Sequence, residues 1–319
     1  MALGDERQLG FAEAFLGPKA GANRRLEAIE GLLDWSGIAV LVREVRQAET
    51  GRPPYLPLPM TKALLLQQWY GLSDPELAEA LSDRLSFRRF CGFGLDAATP
   101  DDTTLLRFRH RLGEAGLAKR VFGEINRQLD AQGLFVKRGT IIDATIVQAS
   151  AGPRNARKDG TPVDPEARWA KRAKGSTLGY KAHVAADEGT GLVRAATLTP
   201  ANVHDSRKAA ELVQGDEAAV YADKAYDSAA FRGKLKDQKI TDQVMYRARR
   251  NRPLKTWQTW MNKVIAPVRG GIERIFGSWK RNWGYRRVRY LGVDRNQAHL
   301  HLLAAAWNLT RAVALKPTG

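Results

Sequence analysis

Three acidic residues stand where a carboxylate needs a reason. Asp143 interrupts the apolar run Ile141-Ile-Asp-Ala-Thr-Ile-Val147, where a charge is costly to bury unless it faces a partner or a site. Asp223 closes Val220-Tyr-Ala-Asp223 ahead of a helical stretch, at the carboxyl end of a strand, where open α/β sheets place ligands. Glu273 lies within Arg269-Gly-Gly-Ile-Glu-Arg-Ile-Phe-Gly-Ser-Trp-Lys280. On one continuous helix Arg269, Glu273 and Lys280 would share a face beside an apolar stripe of Ile272, Phe276, Trp279 and Trp283. Each acid also has a plainer reading: an ion pair or strand-end position for Asp143, a helix-entry cap for Asp223, a salt bridge for Glu273. The pair Gly270-Gly271 counts against a helix that includes Arg269. Three oxygen donors with no histidine or cysteine beside them suit a hard cation such as magnesium or manganese.

The charge of the 319-residue chain is concentrated. Its formal net charge is +17. Residues 1–139 carry 19 basic and 18 acidic side chains and residues 140–244 carry 16 and 14, whereas residues 245–295 carry 14 and 2, and the last stretch adds 2 basic ones. That basic segment is interleaved with Tyr246, Trp257, Trp260, Trp279, Trp283, Tyr285 and Tyr290. Guanidinium and ammonium groups neutralise phosphates and aromatic faces stack on unpaired bases, so the pattern points to nucleic acid rather than to a merely solvated face. Arg249, Arg250, Arg252, Arg286, Arg287 and Arg289 are the candidate phosphate contacts. Trp257 and Trp260 are either base-stacking residues or part of the core.

Other classes are excluded or disfavoured. With 44% hydrophobic content the chain can bury one sizeable core and a smaller one without disulfide or metal staples. The single cysteine, Cys91, rules out an internal disulfide, and His110, His183, His204, His299 and His301 lack zinc-ligand spacing. No apolar run of bilayer length occurs, and the acidic N-terminal residues do not form a signal peptide, so the expectation is a protein that stays inside the cell, in the cytoplasm and not in a membrane.

The elements that must position these residues fall into two parts. Residues 1–136 read as an all-helical domain suited to DNA binding or assembly. Its helices are expected at about 22–34, after Ser36 as N-cap, at about 60–70, after Ser73 with Glu76 completing a capping box, after Thr99-Pro100-Asp101-Asp102, and at about 117–129. The proline-rich stretch 51–59 reads as an extended connector. Residues 137–319 read as an α/β catalytic domain with a mixed sheet: strands at 140–147, 181–186 and 192–198, a helix near 205–213, a strand at 218–222, a helix near 228–236 and a short strand at 240–245. The intervening residues 151–176 read as a long mobile loop.

Several motifs then fall into a known set. Asp143-Ala-Thr, Gly179-Tyr-Lys-Ala-His183, Asn202-Val-His-Asp-Ser206, Ala222-Asp-Lys-Ala-Tyr-Asp-Ser228 and the Arg269, Glu273, Lys280 spacing together resemble the DDE transposases of bacterial insertion sequences, most closely the fifth family. Lys62-Ala-Leu-Leu-Leu-Gln-Gln-Trp-Tyr-Gly-Leu-Ser73 and Leu85-Ser-Phe-Arg-Arg-Phe90 resemble that family's N-terminal region, and the likeness runs from about residue 50 to 310. The resemblance implies a ribonuclease-H-like core with Asp143, Asp223 and Glu273 as catalytic metal ligands for two magnesium or manganese ions, and with Arg269 and Lys280 on phosphates. It implies cleavage at the ends of the element and strand transfer into target DNA, with double-stranded terminal inverted repeats and target DNA as partners and a homodimer or larger assembly. One departure is visible: the broader group often has a tyrosine three residues before the arginine, and here that residue is Ala266. The spacing from Asp223 to Glu273 leaves no room for a large inserted domain. Competing readings are a metal-dependent nuclease that stops after hydrolysis, a non-catalytic protein that binds transposon ends, and a hydrolase built on His204 and Asp205.

Overall fold

The computed structural model describes residues 20–45, 54–152, 160–171 and 175–316. Among the described residues seven helices come first: α1 (Arg24–Glu30), α2 (Trp35–Val42), α3 (Pro57–Tyr70), α4 (Asp74–Asp83), α5 (Leu85–Cys91), α6 (Asp102–Glu114) and α7 (Leu117–Ala131). Their starts follow capping chemistry. Ser73 and Glu76 form the expected reciprocal capping box on α4, and the Asp101 carboxylate accepts from the Thr104 amide on α6. Two boundaries differ from expectation. Asp34, not Ser36, caps α2, because the Asp34 carboxylate accepts from both the backbone and the hydroxyl of Ser36. The proline-rich stretch is not extended throughout: α3 begins at Pro57, since prolines in a first turn lose only amides that have no helical partner.

The rest is α/β: β1 (Thr140–Gln148), β2 (Arg168–Lys171), β3 (Ser176–Asp187), β4 (Val193–Pro200), a 3-10 turn Asp205–Arg207, α8 (Ala209–Leu212), β5 (Ala219–Ala222), a second 3-10 turn Lys224–Tyr226, α9 (Ala229–Asp237), β6 (Thr241–Val244), α10 (Thr256–Arg269), α11 (Gly271–Asn282) and α12 (Val293–Leu315). The sheet order is β2-β3-β1-β5-β6, with β4 also paired to β3. β1, β3 and β4 form an antiparallel meander, and β5 and β6 continue it in parallel. A three-stranded meander extended by two parallel strands and flanked by helices is the ribonuclease-H-like arrangement. The expected loop 151–176 contains a strand after all, β2, a short edge element with a mostly exposed pattern that carries no apolar alternation to read. Residues 153–159 and 172–174 of that stretch lie outside the described residues.

Side chains alternate along β1, so its two faces enter two cores. Ile141 and Val147 belong to the main core, shared with α11, α12 and the N-terminal helices; Ile142 belongs to a smaller core with Leu212, Val220, Phe231 and Leu235. Asp143 and Thr145 lie on the first face, toward α11. Gly271 permits that approach, because a Cβ there would stand 3.2 Å from Ile141 Cδ1.

Helix α12 ties the parts together. It is buried along most of its length, and its polar residues are matched to partners. The Asn308 side chain accepts from the Val193 amide and donates to the Val193 carbonyl, each at 2.7 Å, and Gln297 Oε1 accepts from the Leu198 amide at 2.6 Å. These contacts occupy backbone groups along β4 that an uncovered sheet edge would offer to another chain. On the other side, the indole of Trp69 in α3 donates to the Ala306 carbonyl at 2.9 Å.

Candidate active site

The strand register builds the site. β1 and β5 pair in parallel with Thr140 opposite Val220, Ile141 opposite Tyr221 and Ile142 opposite Ala222. The next step sets Asp143 alongside Asp223, just past the end of β5. Burial pushes the Asp143 carboxyl up to about 6; Arg269 and the Ala144 amide pull it down, while the charges of Asp223 and Asp205 push it further up. Oδ1 of Asp143 accepts from the Ala144 amide at 2.8 Å, and Oδ2 accepts from Arg269 Nη1 at 2.6 Å. Asp223 Oδ1 accepts from the Lys224 amide at 2.7 Å. Asp223 thus fulfils its plainer reading as a cap while also facing an open cleft of about 500 Å³, lined with His204, Lys224 and Arg247.

Arg269, Glu273 and Lys280 are not on one helix. Arg269 ends α10, Gly270 joins, and Gly271 begins α11. Gly270 keeps helical backbone angles, so the four-residue spacing survives and Arg269 Nη2 stands 3.5 Å from Glu273 Oε1. The Glu273 side chain is 67% exposed. Lys280 is bound to the hydroxyl of Thr145, two residues beyond Asp143 on the same face of β1. Ile272, Phe276 and Trp279 are buried as the expected stripe, with Trp283 partly buried beside them.

Asp205, which the sequence reading considered only in a hydrolase pair with His204, is a further acid near Asp143, whose carboxyl its charge helps to raise. Its carboxylate is held by Lys181 Nζ at 2.8 Å, and Lys181 also donates to the Val203 carbonyl at 2.7 Å. His183 Nδ1 lies 3.9 Å from the same carboxylate, and burial lowers the His183 pKa to about 4 against the pull of Asp205. The signal was in the motifs: Lys181 and His183 are two apart on a strand and share a face, and Asp205 follows in Asn202-Val-His-Asp-Ser206. Of the pair His204 and Asp205, the His204 ring is hydrogen-bonded to the Ser206 hydroxyl at 2.8 Å, while the Asp205 carboxylate is held by Lys181.

The basic segment divides. Arg249, Arg250 and Arg252 are exposed on a tight turn closed by reciprocal backbone bonds between Arg249 and Arg252. Arg286 and Arg287 are exposed next to the end of β1, with Arg286 Nε donating to the Lys280 carbonyl at 3.2 Å. Arg289 instead turns inward and donates to the Leu72 carbonyl, a tie to the N-terminal helices. Trp257 and Trp260 are not core residues: they are 50% and 61% exposed, and Trp257 touches Tyr246 edge-on at 5.1 Å.

Two family models match the chain. The model described as "Transposase DDE domain" covers residues 134–309, more than half of the sequence, and that described as "Transposase domain (DUF772)" covers 16–111. The chain belongs to the DDE transposases. The transposase is accordingly a DNA-acting enzyme of cleavage and strand transfer, and the family depends on divalent metal.

Among solved structures, the transposase is similar to the Mos1 transposase paired-end complex with left transposon end at 14% identity over 78% of this chain and 84% of that one. It is similar to the Mos1 Strand Transfer Complex at 14% over 77% and 83%, and to a pre-cleavage Mos1 transpososome at 13% over 84% and 99%. Each superposes with a TM-score of 0.21.

Carboxylate oxygens fit a hard divalent ion in kind, and Asp143 and Asp223 fit it in placement. Among the described residues no three such side chains stand close enough to hold an ion in this conformation: Arg269 is seated on Asp143 and Glu273 is turned outward. No helix among the described residues is long and apolar enough to cross a membrane.

Proposed function

We propose that Asp143, Asp223 and Glu273 are the catalytic carboxylates of this transposase and hold two magnesium or manganese ions. The observation that supports this most is the register that sets Asp143 beside Asp223, with one guanidinium reaching both Asp143 and Glu273. Such ions, when bound, activate the attacking oxygen and stabilise the leaving oxygen of an in-line displacement at phosphorus. Asp143, Asp223 and Glu273 would together supply the carboxylate oxygens that hold the ions. Arg269, which neutralises Asp143 here, is a forked donor of the right charge for a DNA phosphate, and Lys280, anchored on Thr145, is a second phosphate contact beside the same strand. Arg249, Arg250, Arg252, Arg286 and Arg287 extend that contact along the duplex, and Trp257 and Trp260 stack on unpaired bases near a cleaved end.

The partners in this reading are the terminal inverted repeats of the element and a target duplex. Joining two ends calls for a homodimer or a larger assembly. Residues 1–136 serve DNA binding or assembly and residues 137–319 serve catalysis. Membership of the fifth insertion-sequence family, and a place on the bacterial nucleoid, rest on the motifs and the charge.

A strand-transfer assay tests the reading. Full-length protein, manganese, a precut end with a free 3′-hydroxyl and a plasmid target should give joined products. Nicked or shortened DNA with no joining would favour the plain nuclease.

A further inference from the structure

Tyr226 is fully buried in the turn that follows Asp223, packed in the smaller core with Ile142, Ala222 and Phe231. Its hydroxyl has no hydrogen-bond partner. A buried hydroxyl without a partner is costly and calls for an explanation. Acids stand close by in the fold: the turn that holds Tyr226 is capped by Asp223 and packs against the turn Asp205–Arg207, and the charges that act on this phenol are those of Asp205, Asp143 and Asp223, with Arg269 opposing them. Burial and these three carboxylates hold it firmly protonated, so it is a donor. Each carboxylate meanwhile has another commitment: Asp143 to Arg269 and Ala144, Asp223 to Lys224, Asp205 to Lys181. Each retains lone pairs to spare.

We propose that the Tyr226 hydroxyl is a positioning donor for the acids of this site, one that hydrogen-bonds a carboxylate of the Asp143, Asp205 and Asp223 cluster when those side chains turn to hold a divalent ion. It fixes which carboxylate oxygen faces the ion and which is held by protein, the service that outer-shell partners give to metal ligands. Asp205, itself pinned by Lys181, carries the charge felt most strongly at the phenol. The proposal rests on the reading of Asp143 and Asp223 as ion ligands.

The test uses full-length Tyr226→Phe, which removes one oxygen and nothing else. Melting is followed in EDTA and then along a manganese titration, using the metal-induced rise in Tm as the readout, beside cleavage of end DNA. In EDTA the variant should melt at or above the parent's temperature, because an unpaired hydroxyl has been removed. The manganese concentration needed for the rise in Tm should increase roughly 10- to 100-fold, and cleavage should recover at high manganese. An unchanged manganese titration would overturn the proposal, and so would a lower Tm in EDTA or failure to fold, either of which would make the hydroxyl a structural bond. Asp223→Asn is the control: it should lose the manganese-induced rise, and if it kept the parent's response the site reading itself would fall, whatever Tyr226→Phe had done.

Discussion

Arg269 donates to Asp143 at 2.6 Å across 126 residues of sequence, and its other terminal nitrogen stands 3.5 Å from Glu273. One guanidinium therefore links two of the three proposed catalytic acids, in the position where a bound cation would compete with it. Arg269→Ala should leave Asp143 without its cationic neighbour, whose charge lowers the carboxyl pKa. The manganese concentration that raises Tm should fall in this variant while cleavage also falls, because a phosphate contact is lost. A variant with unchanged manganese response would show that Arg269 and the ion do not share Asp143.

The pH dependence of the metal-free protein has two opposing parts. Asp143 has its carboxyl raised to about 6 by burial, so the folded state holds that proton more tightly than the unfolded chain. Its contribution is present below about pH 4, the usual carboxylate range, and is lost as pH rises through 6. His183 and His301 are lowered to about 4, and His299 well below its usual value, each by burial, so their contribution is present above about 6.5 and is lost as pH falls. Tm in EDTA should therefore drop from pH 7 to 4.5, and Asp143→Asn should drop more steeply because the compensating acid is gone. Parallel curves for the two proteins would contradict the burial of Asp143.

Helices and capping were readable because they are local: Ser73 and Glu76 announce α4 within four residues. Strand β1 was readable for a similar reason, since Asp143 is conspicuous in an apolar run. Less accessible were features set by distant parts of the chain. Strand β2 has no pattern of its own and exists because β3 offers Gly179 to Ser176 as a pairing edge. The Arg289 bond to Leu72 spans 217 residues and looks in sequence like any other cation of a basic run. Helix α12, which joins the sheet to the N-terminal helices, mixes buried polar residues such as Asn296, His299 and Asn308 with apolar ones around its circumference, so no amphipathic period marks its faces. Asp205 was visible as a motif, but its role needed the turn that brings it to Lys181.

Lys280→Ala should lower the cleavage rate with only a small loss of stability, because a partly buried hydrogen bond to Thr145 is worth on the order of 1 kcal/mol. Thr145→Val separates the roles: it removes the anchor and keeps the ammonium, so it should slow cleavage less than Lys280→Ala does. Equal stability loss with normal cleavage in both variants would make the pair structural.

The basic turn and the exposed indoles predict distinct signatures on DNA. Affinity for end-containing duplex should fall linearly on a log-log salt plot, with a slope of about −0.9 per phosphate neutralised, and Arg250→Ala should make it shallower by about one unit. Trp260→Ala should cost roughly 1 to 3 kcal/mol on DNA with an unpaired end, leaving the slope unchanged. Its exposure predicts little change in Tm; a large loss of Tm would argue for packing instead. A salt slope near zero for the parent would reduce the basic segment to solvated surface.

The most direct measurement concerns Asp223, which lies beside Asp143 at the edge of the open cleft. Manganese-dependent cleavage of DNA carrying the element's ends should be compared between the parent chain and Asp223→Asn, with binding to the same DNA measured in parallel. The account predicts that cleavage falls below detection while DNA affinity stays within about threefold of the parent, since the acid holds metal rather than phosphate. Cleavage by Asp223→Asn at the parent rate would contradict it.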